Sequence, residues 1–359
     1  MNFERENIRR MAGYASGEQP DNELTIKLNT NENPYPPSPQ VSNVLSQIKP
    51  ESLRRYPPAT AQKFRQLAAE LHGLDLKNVI ATRGGDELLR LVITTFVDPG
   101  EKIGMTDPTY SLYSVLAQIQ DCPIVNAPLL ADWTLPEEFA QSMNDQKVRL
   151  TFLVNPHAPT GALMPIDQIS KLASKLNSIL LLDEAYIDFV DHHYQTAQLV
   201  KEHDNLIILR TLSKGYSLAG LRFGYGLADQ SLIAPMLHKT RDSYNLDFIS
   251  QRVAEAAIAD QDHVRANAKK VILERDRLRA ELHVLGIYCA DSQANFLLAT
   301  IPDTIKFSAA ELYQKLKDRH VLVRYFNAQR LDNKLRVSIG TGEENDQLLS
   351  TLVDILKQS

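Results

Sequence analysis

The sequence predicts an α/β protein: a mostly parallel, seven-stranded sheet in a three-layer large domain, followed by a smaller α+β domain. Three observations predict this. Short apolar runs at 148–154, 179–182 and 206–209 alternate with helix-like segments, the pattern of strands buried on both faces. After Tyr244 the alternation gives way to a long run of helix formers, 248–285. The chain's 359 residues exceed what one hydrophobic core usually supports.

In order, residues 1–40 read as an arm over the site, 41–247 as the large domain and 248–359 as the small one. The stretch Asn29–Pro39 is rich in Asn and Pro, which excludes regular helix and inner strand. Thr60 is placed to cap a helix that stops at Gly73. Strands are expected at 79–82, 102–106, 122–129, 148–154, 179–182, 206–209 and 223–227. Helices between them are expected at 84–96, 110–120, 135–144 and 165–177, the last with Pro165 in its first turn. The 248–285 run reads as a helix bridging two domains, with one or two breaks and a stop at Gly286. Strands at 296–300, 321–325 and 334–339 and helices at 309–319 and 343–357 complete the chain.

The totals exclude several classes. A formal charge of -5, with no Lys/Arg block, leaves no electrostatic footprint for nucleic acid. Cys122 and Cys289 are the only cysteines and no C-x-x-C occurs, so neither a disulfide framework nor a metal site is expected. No apolar run approaches the ~18 residues of a membrane span. The charged N-terminal stretch lacks the apolar core of a signal peptide. These features predict a cytoplasmic protein.

Polar residues gather where the predicted strands end, which is where α/β sheets place their ligands. Lys214 follows the strand at 206–209. A loop lysine seen alone is usually solvated, but in an apolar place its pKa falls and its amine becomes a nucleophile toward carbonyls. Asp183 ends the apolar run Leu180–Leu182, where a carboxylate needs a cap, an ion pair or a protonated ring nitrogen as its partner. Tyr186 lies three residues on. Gly84, Gly85, Asp86 and Glu87 open a helix, whose free N–H groups suit a phosphate, and Ser213 and Arg222 can complete the cup. Tyr110 can present its ring flat. A carbonyl, a basic ring nitrogen, a phosphate and a flat ring together describe pyridoxal 5'-phosphate.

Asp183-Glu184-Ala185-Tyr186, Thr211-Leu212-Ser213-Lys214 and Gly220-Leu221-Arg222, with the spacing 214 − 183 = 31, resemble the fold-type I aminotransferases of class I/II. Asn29–Pro34, Arg55-Tyr56-Pro57, Gly84–Glu87, Pro108-Thr109-Tyr110 and Leu335–Thr341 resemble that family's histidinol-phosphate aminotransferase branch. The resemblance implies that Lys214 bonds the cofactor, Asp183 pairs with its ring nitrogen, Tyr186 meets its ring 3-oxygen and Tyr110 stacks on it. It also implies phosphate binding by Gly85 and Asp86 backbone N–H groups, by Ser213 and Arg222, and by Tyr56 from the other subunit of a homodimer. Arg324 and Arg336 would hold the substrate's anionic tail beneath the Tyr14 segment. The implied reaction is ping-pong transamination between histidinol phosphate and 2-oxoglutarate, giving imidazole-acetol phosphate and glutamate in histidine biosynthesis.

One position departs from the pattern. The family commonly carries an Asn, bonded to the ring 3-oxygen, where this chain has Ala158. His157, Asn155 or Tyr186 alone are the candidates to make up for it. The alternatives to the branch reading are an aromatic or broad-specificity aminotransferase, an enzyme like the threonine-phosphate decarboxylases, and a non-catalytic protein that senses the cofactor or an amino acid.

Overall fold

In the computed structural model, residues 3–20, 22 and 24–357 are described. The N-terminal segment carries a short helix, Glu6–Arg10, and strand β1 (Ile26–Lys27). The large sheet follows as β2 (Val79–Thr82), β3 (Lys102–Asp107), β4 (Ile124–Pro128), β5 (Val148–Val154), β6 (Ile179–Asp183), β7 (Leu206–Thr211) and β8 (Gly224–Ala228). Its spatial order is β2-β8-β7-β6-β5-β3-β4. β8 is antiparallel to both neighbours, and the other pairings are parallel.

The sheet is covered on both faces, which is why its strands read as unbroken apolar runs. Successive side chains point to opposite faces. Leu180, Leu182 and Ile208 therefore join one buried cluster, while Leu181, Ile207 and Leu209 join the other. Helices Gln62–His72 and Phe248–Ala259 contribute Phe64, Ala68, Val253 and Ala257 to the first. Helices Gly84–Phe96 and Leu112–Ile119 contribute Leu88, Val92, Tyr113 and Leu116 to the second.

A third cluster is built mainly from residues 268–355, together with Leu28. Here β9 (Tyr288–Cys289), β10 (Phe296–Thr300), β12 (Arg324–Tyr325) and β13 (Lys334–Ser338) form a four-stranded sheet, and β11 (Val321–Leu322) pairs in parallel with β1. Leu28, just past β1, is 2% exposed. The N-terminal segment is thus hydrogen-bonded to the C-terminal part of the chain.

Several local expectations change. The helix expected from Tyr110 begins at Leu112, and the Tyr110 carbonyl instead accepts the Tyr113 N–H. The 248–285 run is two helices, Phe248–Ala259 and Gln261–Val284, parted at Asp260, whose carboxylate accepts from His263 N–H and caps the second. The strand expected at 321–325 is two, β11 and β12, which pair with different partners. The helix expected from Thr60 starts at Gln62 and stops, as expected, at Gly73 with φ 61°. β1 and β9, at two residues each, are too short to leave a periodic signal.

Candidate active site

The carboxyl ends of the parallel strands share one edge, and several deliver a chemically able residue. Asp183 is the last residue of β6, Lys214 lies three residues beyond β7, and Gly84–Asp86 follow β2 into a helix N-terminus. Arg222 precedes the antiparallel β8 and so reaches the same edge.

Lys214 Nζ donates to the Thr30 carbonyl at 2.9 Å and lies 6.0 Å from the Tyr186 ring centre. Burial, with Arg336 and Arg222 as cationic neighbours, pulls the Lys214 ammonium down to about 8. The Asn33 amide donates to the carbonyls of Lys214 and Gly215, 3.2 Å each, and fixes the backbone that carries the lysine. Asp183 is buried, and burial pushes its carboxyl up to about 6. The Tyr113 hydroxyl at 2.6 Å and the Ala185 N–H at 3.1 Å donate to its two oxygens and oppose that rise. Among the described residues no cation pairs with it, although a buried carboxylate is costly without one. Neighbouring Glu184 is ion-paired within the chain with Arg210 at 2.6 Å and accepts a hydrogen bond from Thr196.

The glycine turn is tightly packed. Gly84 sits at φ +77°, where a Cβ would stand 2.8 Å from Arg222 Nη2, and a Cβ on Gly224 would meet the Gly84 carbonyl carbon at 2.8 Å. The cup therefore needs glycine at both places. Arg222 Nη1 donates to Ser213 Oγ at 3.3 Å and its Nη2 to Asp86 at 3.2 Å. Two donors and a helix N-terminus converge there.

The opposite wall comes from the C-terminal sheet. Arg336 and Arg324 are directly opposite across β13 and β12. Like charges so placed repel unless an anion joins them. Arg336 lies 5.4 Å from the ring centres of both Phe296 and Phe326, and its Nη2 donates to the Asn29 carbonyl at 3.0 Å. Its Nε is buried with no partner among the described residues, as is Thr109 Oγ1 beside Tyr110. Tyr14 meets Tyr110 edge-on, 6.0 Å between rings. Tyr56 is 81% exposed and stacks on Tyr244 at 4.4 Å; within one chain it stands apart from the Lys214 contacts.

Two of the three candidates to make up for Ala158 are engaged within the chain. His157 uses both ring nitrogens, on Thr160 Oγ1 at 2.8 Å and the Pro108 carbonyl at 3.0 Å, and burial drives its pKa down to about 4, so it is neutral. Asn155 donates to Tyr194 at 2.6 Å and accepts from Met164 N–H at 2.7 Å. Both are committed elsewhere. The Tyr186 hydroxyl instead accepts from the Asn31 amide at 3.0 Å.

Sequence reasoning placed Lys214, Asp183, Tyr186, Ser213, Arg222, Asp86, Tyr110, Tyr14 and Arg336 here, and missed Tyr113, Thr30 and Asn31. Tyr113 left no distinct signal, since a tyrosine at an apolar helix position reads equally well as packing. The residues fit pyridoxal 5'-phosphate. An uncompensated buried carboxylate suits a ring cation, a buried amine suits a carbonyl, and the cup offers phosphate donors.

Comparisons agree with the geometry. Residues 24–352 match the family model described as aminotransferase class I and II. A histidinol-phosphate aminotransferase 1 of Nostoc sp. is 42% identical over 357 residues, 99% of each chain. The Citrifermentans bemidjiense histidinol-phosphate aminotransferase is 40% identical over 352 residues, 98% of each. Among solved structures, the Sinorhizobium meliloti histidinol-phosphate aminotransferase in complex with pyridoxal-5'-phosphate superposes with TM-score 0.92 at 23% identity, covering 100% of this chain and 98% of that one. The Porphyromonas gingivalis L-threonine-O-3-phosphate decarboxylase gives 0.80 at 19%, covering 92% and 99%. At such identities these two speak for the fold.

Proposed function

The chain belongs to the class I and II aminotransferases, enzymes that depend on pyridoxal 5'-phosphate, and from that premise we propose that it transfers the amine of histidinol phosphate to 2-oxoglutarate, giving imidazole-acetol phosphate and glutamate for histidine biosynthesis. Identity of 40–42% with relatives of that name, over nearly the whole of each chain, supports the substrate. The observation in the site that carries it is the facing pair Arg324 and Arg336 with the buried, unpartnered Arg336 Nε. That pair calls for an anionic substrate tail. A phosphate in one half-reaction and a carboxylate in the other both suit a planar guanidinium fork.

When bound, pyridoxal 5'-phosphate supplies an aldehyde carbon for an amine and a protonated ring that draws electrons from the substrate's α-carbon. Ser213, Arg222 and the N–H groups of Gly85 and Asp86 hold its phosphate. Asp183 keeps a proton on the ring nitrogen, and Tyr113 aims that carboxylate. Tyr110 stacks on the ring and Tyr186 donates to its 3-oxygen. Lys214 would hold the group through its amine at the aldehyde carbon, and its free Nζ would take the proton from the substrate's α-carbon. A base whose pKa lies near the working pH suits that task, and burial brings Lys214 to about 8. Tyr14 covers the site beside Tyr110. Tyr56, exposed beside Tyr244, reaches the phosphate of a second subunit in a homodimer.

A panel of amino donors with 2-oxoglutarate tests the substrate. kcat/KM on histidinol phosphate is expected to exceed that on L-histidinol by at least about a hundredfold, since losing the anion strands Arg336, and to exceed that on L-phenylalanine, which keeps an anion but not the phosphate. Faster turnover of phenylalanine, or release of CO₂ from threonine phosphate, contradicts it.

A further inference from the structure

Asn31 is 1% exposed and every polar group on it is engaged. Its N–H donates to Ser338 Oγ at 2.8 Å and its carbonyl accepts from the Asn295 amide at 2.9 Å. Its side-chain oxygen accepts from Ser338 Oγ at 3.1 Å, and its side-chain nitrogen donates to the Tyr186 hydroxyl at 3.0 Å. The backbone is held in the left-handed region at φ 56°, which Asn tolerates better than most residues.

This wiring fixes a direction. Ser338 Oγ accepts the Asn31 N–H, so its own proton needs an acceptor, and Asn31 Oδ1 is the one within reach. That assigns the amide: oxygen toward Ser338, nitrogen toward Tyr186. Tyr186 therefore spends a lone pair on Asn31, and its hydroxyl proton is left to point elsewhere. Ala158 offers no polar group, and His157 and Asn155 are committed elsewhere. The Tyr186 hydroxyl thus keeps its proton for a ligand oxygen beside Lys214.

We propose that Asn31 is a positioning residue for the reaction: locked by Ser338, it turns the Tyr186 hydroxyl proton toward the ring oxygen of the cofactor. This rests on the cofactor's seating at Lys214, as read above, and not on the identity of the substrate. It also gives β13 a second task, because Ser338 and Arg336 lie two residues apart on one strand. The segment before residue 34 then contributes to tuning the cofactor as well as covering it.

The test is the pH midpoint of the holoenzyme's visible absorbance band, read without substrate. A hydrogen bond donated to an ionised oxygen favours the ionised form. In Asn31→Asp the new carboxylate takes the Tyr186 proton away from the site, and the midpoint is expected to rise by about one unit or more. The added charge alone also raises it, so the change is repeated in Tyr186→Phe, where the rise is expected to fall to less than about half. An equal rise in both backgrounds, or none in either, overturns the proposal. Ser338→Ala, which lets the amide turn over, is expected to move the midpoint the same way by a smaller amount, and an unmoved midpoint there also overturns it. A protein that binds no cofactor and stays colourless counts against the seating, whereas a yellow protein with unmoved midpoints counts against Asn31 alone.

Discussion

Two walls of the site are built differently. The sheet edge holds Asp183, Ser213, Lys214 and Arg222, each within a few residues of a strand that is buried along nearly its whole length. The facing wall holds Arg324, Arg336, Ser338, Asn31 and Tyr14, gathered from both ends of the chain. Asn31 and Ser338 are separated by 307 residues in sequence, as are Asn29 and Arg336. The first wall is fixed by the hydrogen-bonded ladder of a sheet packed on both faces. The second depends on the N-terminal segment staying paired, β1 on β11, against the C-terminal sheet. On the proposed reading, bond-making chemistry and the cofactor's phosphate belong to the first wall, and the substrate's anionic tail and fine adjustment belong to the assembled one.

That contrast predicts effects of different kind as well as size. The largest belongs to Lys214→Ala, which removes both the attachment point and the base. Turnover should fall on the order of 10⁴-fold, and borohydride should no longer fix a chromophore to the protein. A variant that kept even a tenth of its activity would break the division between the walls. Asp183→Asn, which leaves shape intact but removes the charge that holds the ring proton, should cost about a hundredfold or more in kcat, with a smaller change in KM.

Arg336→Lys tests the assembled wall. It should raise KM for both anionic substrates by roughly ten- to a hundredfold while kcat moves far less, because a point charge replaces a two-donor fork. A fall in kcat at unchanged KM would place Arg336 with the chemistry instead. Tyr113→Phe keeps the packing on Phe152, 4.5 Å between rings, and deletes the donor to Asp183. Cofactor affinity should weaken roughly tenfold, measured by spectral titration of apoenzyme.

The smallest effect concerns pH. The Lys214 ammonium is lowered to about 8 in the fold from an ordinary 10.5. Between those values the unfolded chain holds the proton and the folded chain does not, so this group adds stability as pH rises from about 8 to 10.5. Apo wild type should therefore gain on apo Lys214→Met across that window in thermal melts. A constant gap would show the amine to be solvated.

The two walls also differed in legibility. Runs such as Leu180–Leu182 show that a strand is buried on both faces, and a charged residue at its end is conspicuous. Lys214, Asp183 and the glycine turn were readable for that reason. Tyr113 was not, since an apolar helix position explains it equally well, and its partner Asp183 is 70 residues away. Asn31 read as part of an Asn- and Pro-rich connection because nothing local marks a bond to Tyr186, 155 residues on. Short strands β1 and β9 were invisible because two residues carry no period. The break at Asp260 was expected only loosely, because its carboxylate acts as a cap through local geometry.

The central claim is that the sheet edge, with Lys214 and Asp183, carries out one half of a transamination on histidinol phosphate. A single-turnover mix of yellow holoenzyme with histidinol phosphate, without 2-oxoglutarate, tests it directly. The account predicts that the visible band is lost, that one equivalent of imidazole-acetol phosphate forms per site, and that 2-oxoglutarate restores the colour with one equivalent of glutamate. An unchanged spectrum, or loss of colour with no ketone product, would contradict it.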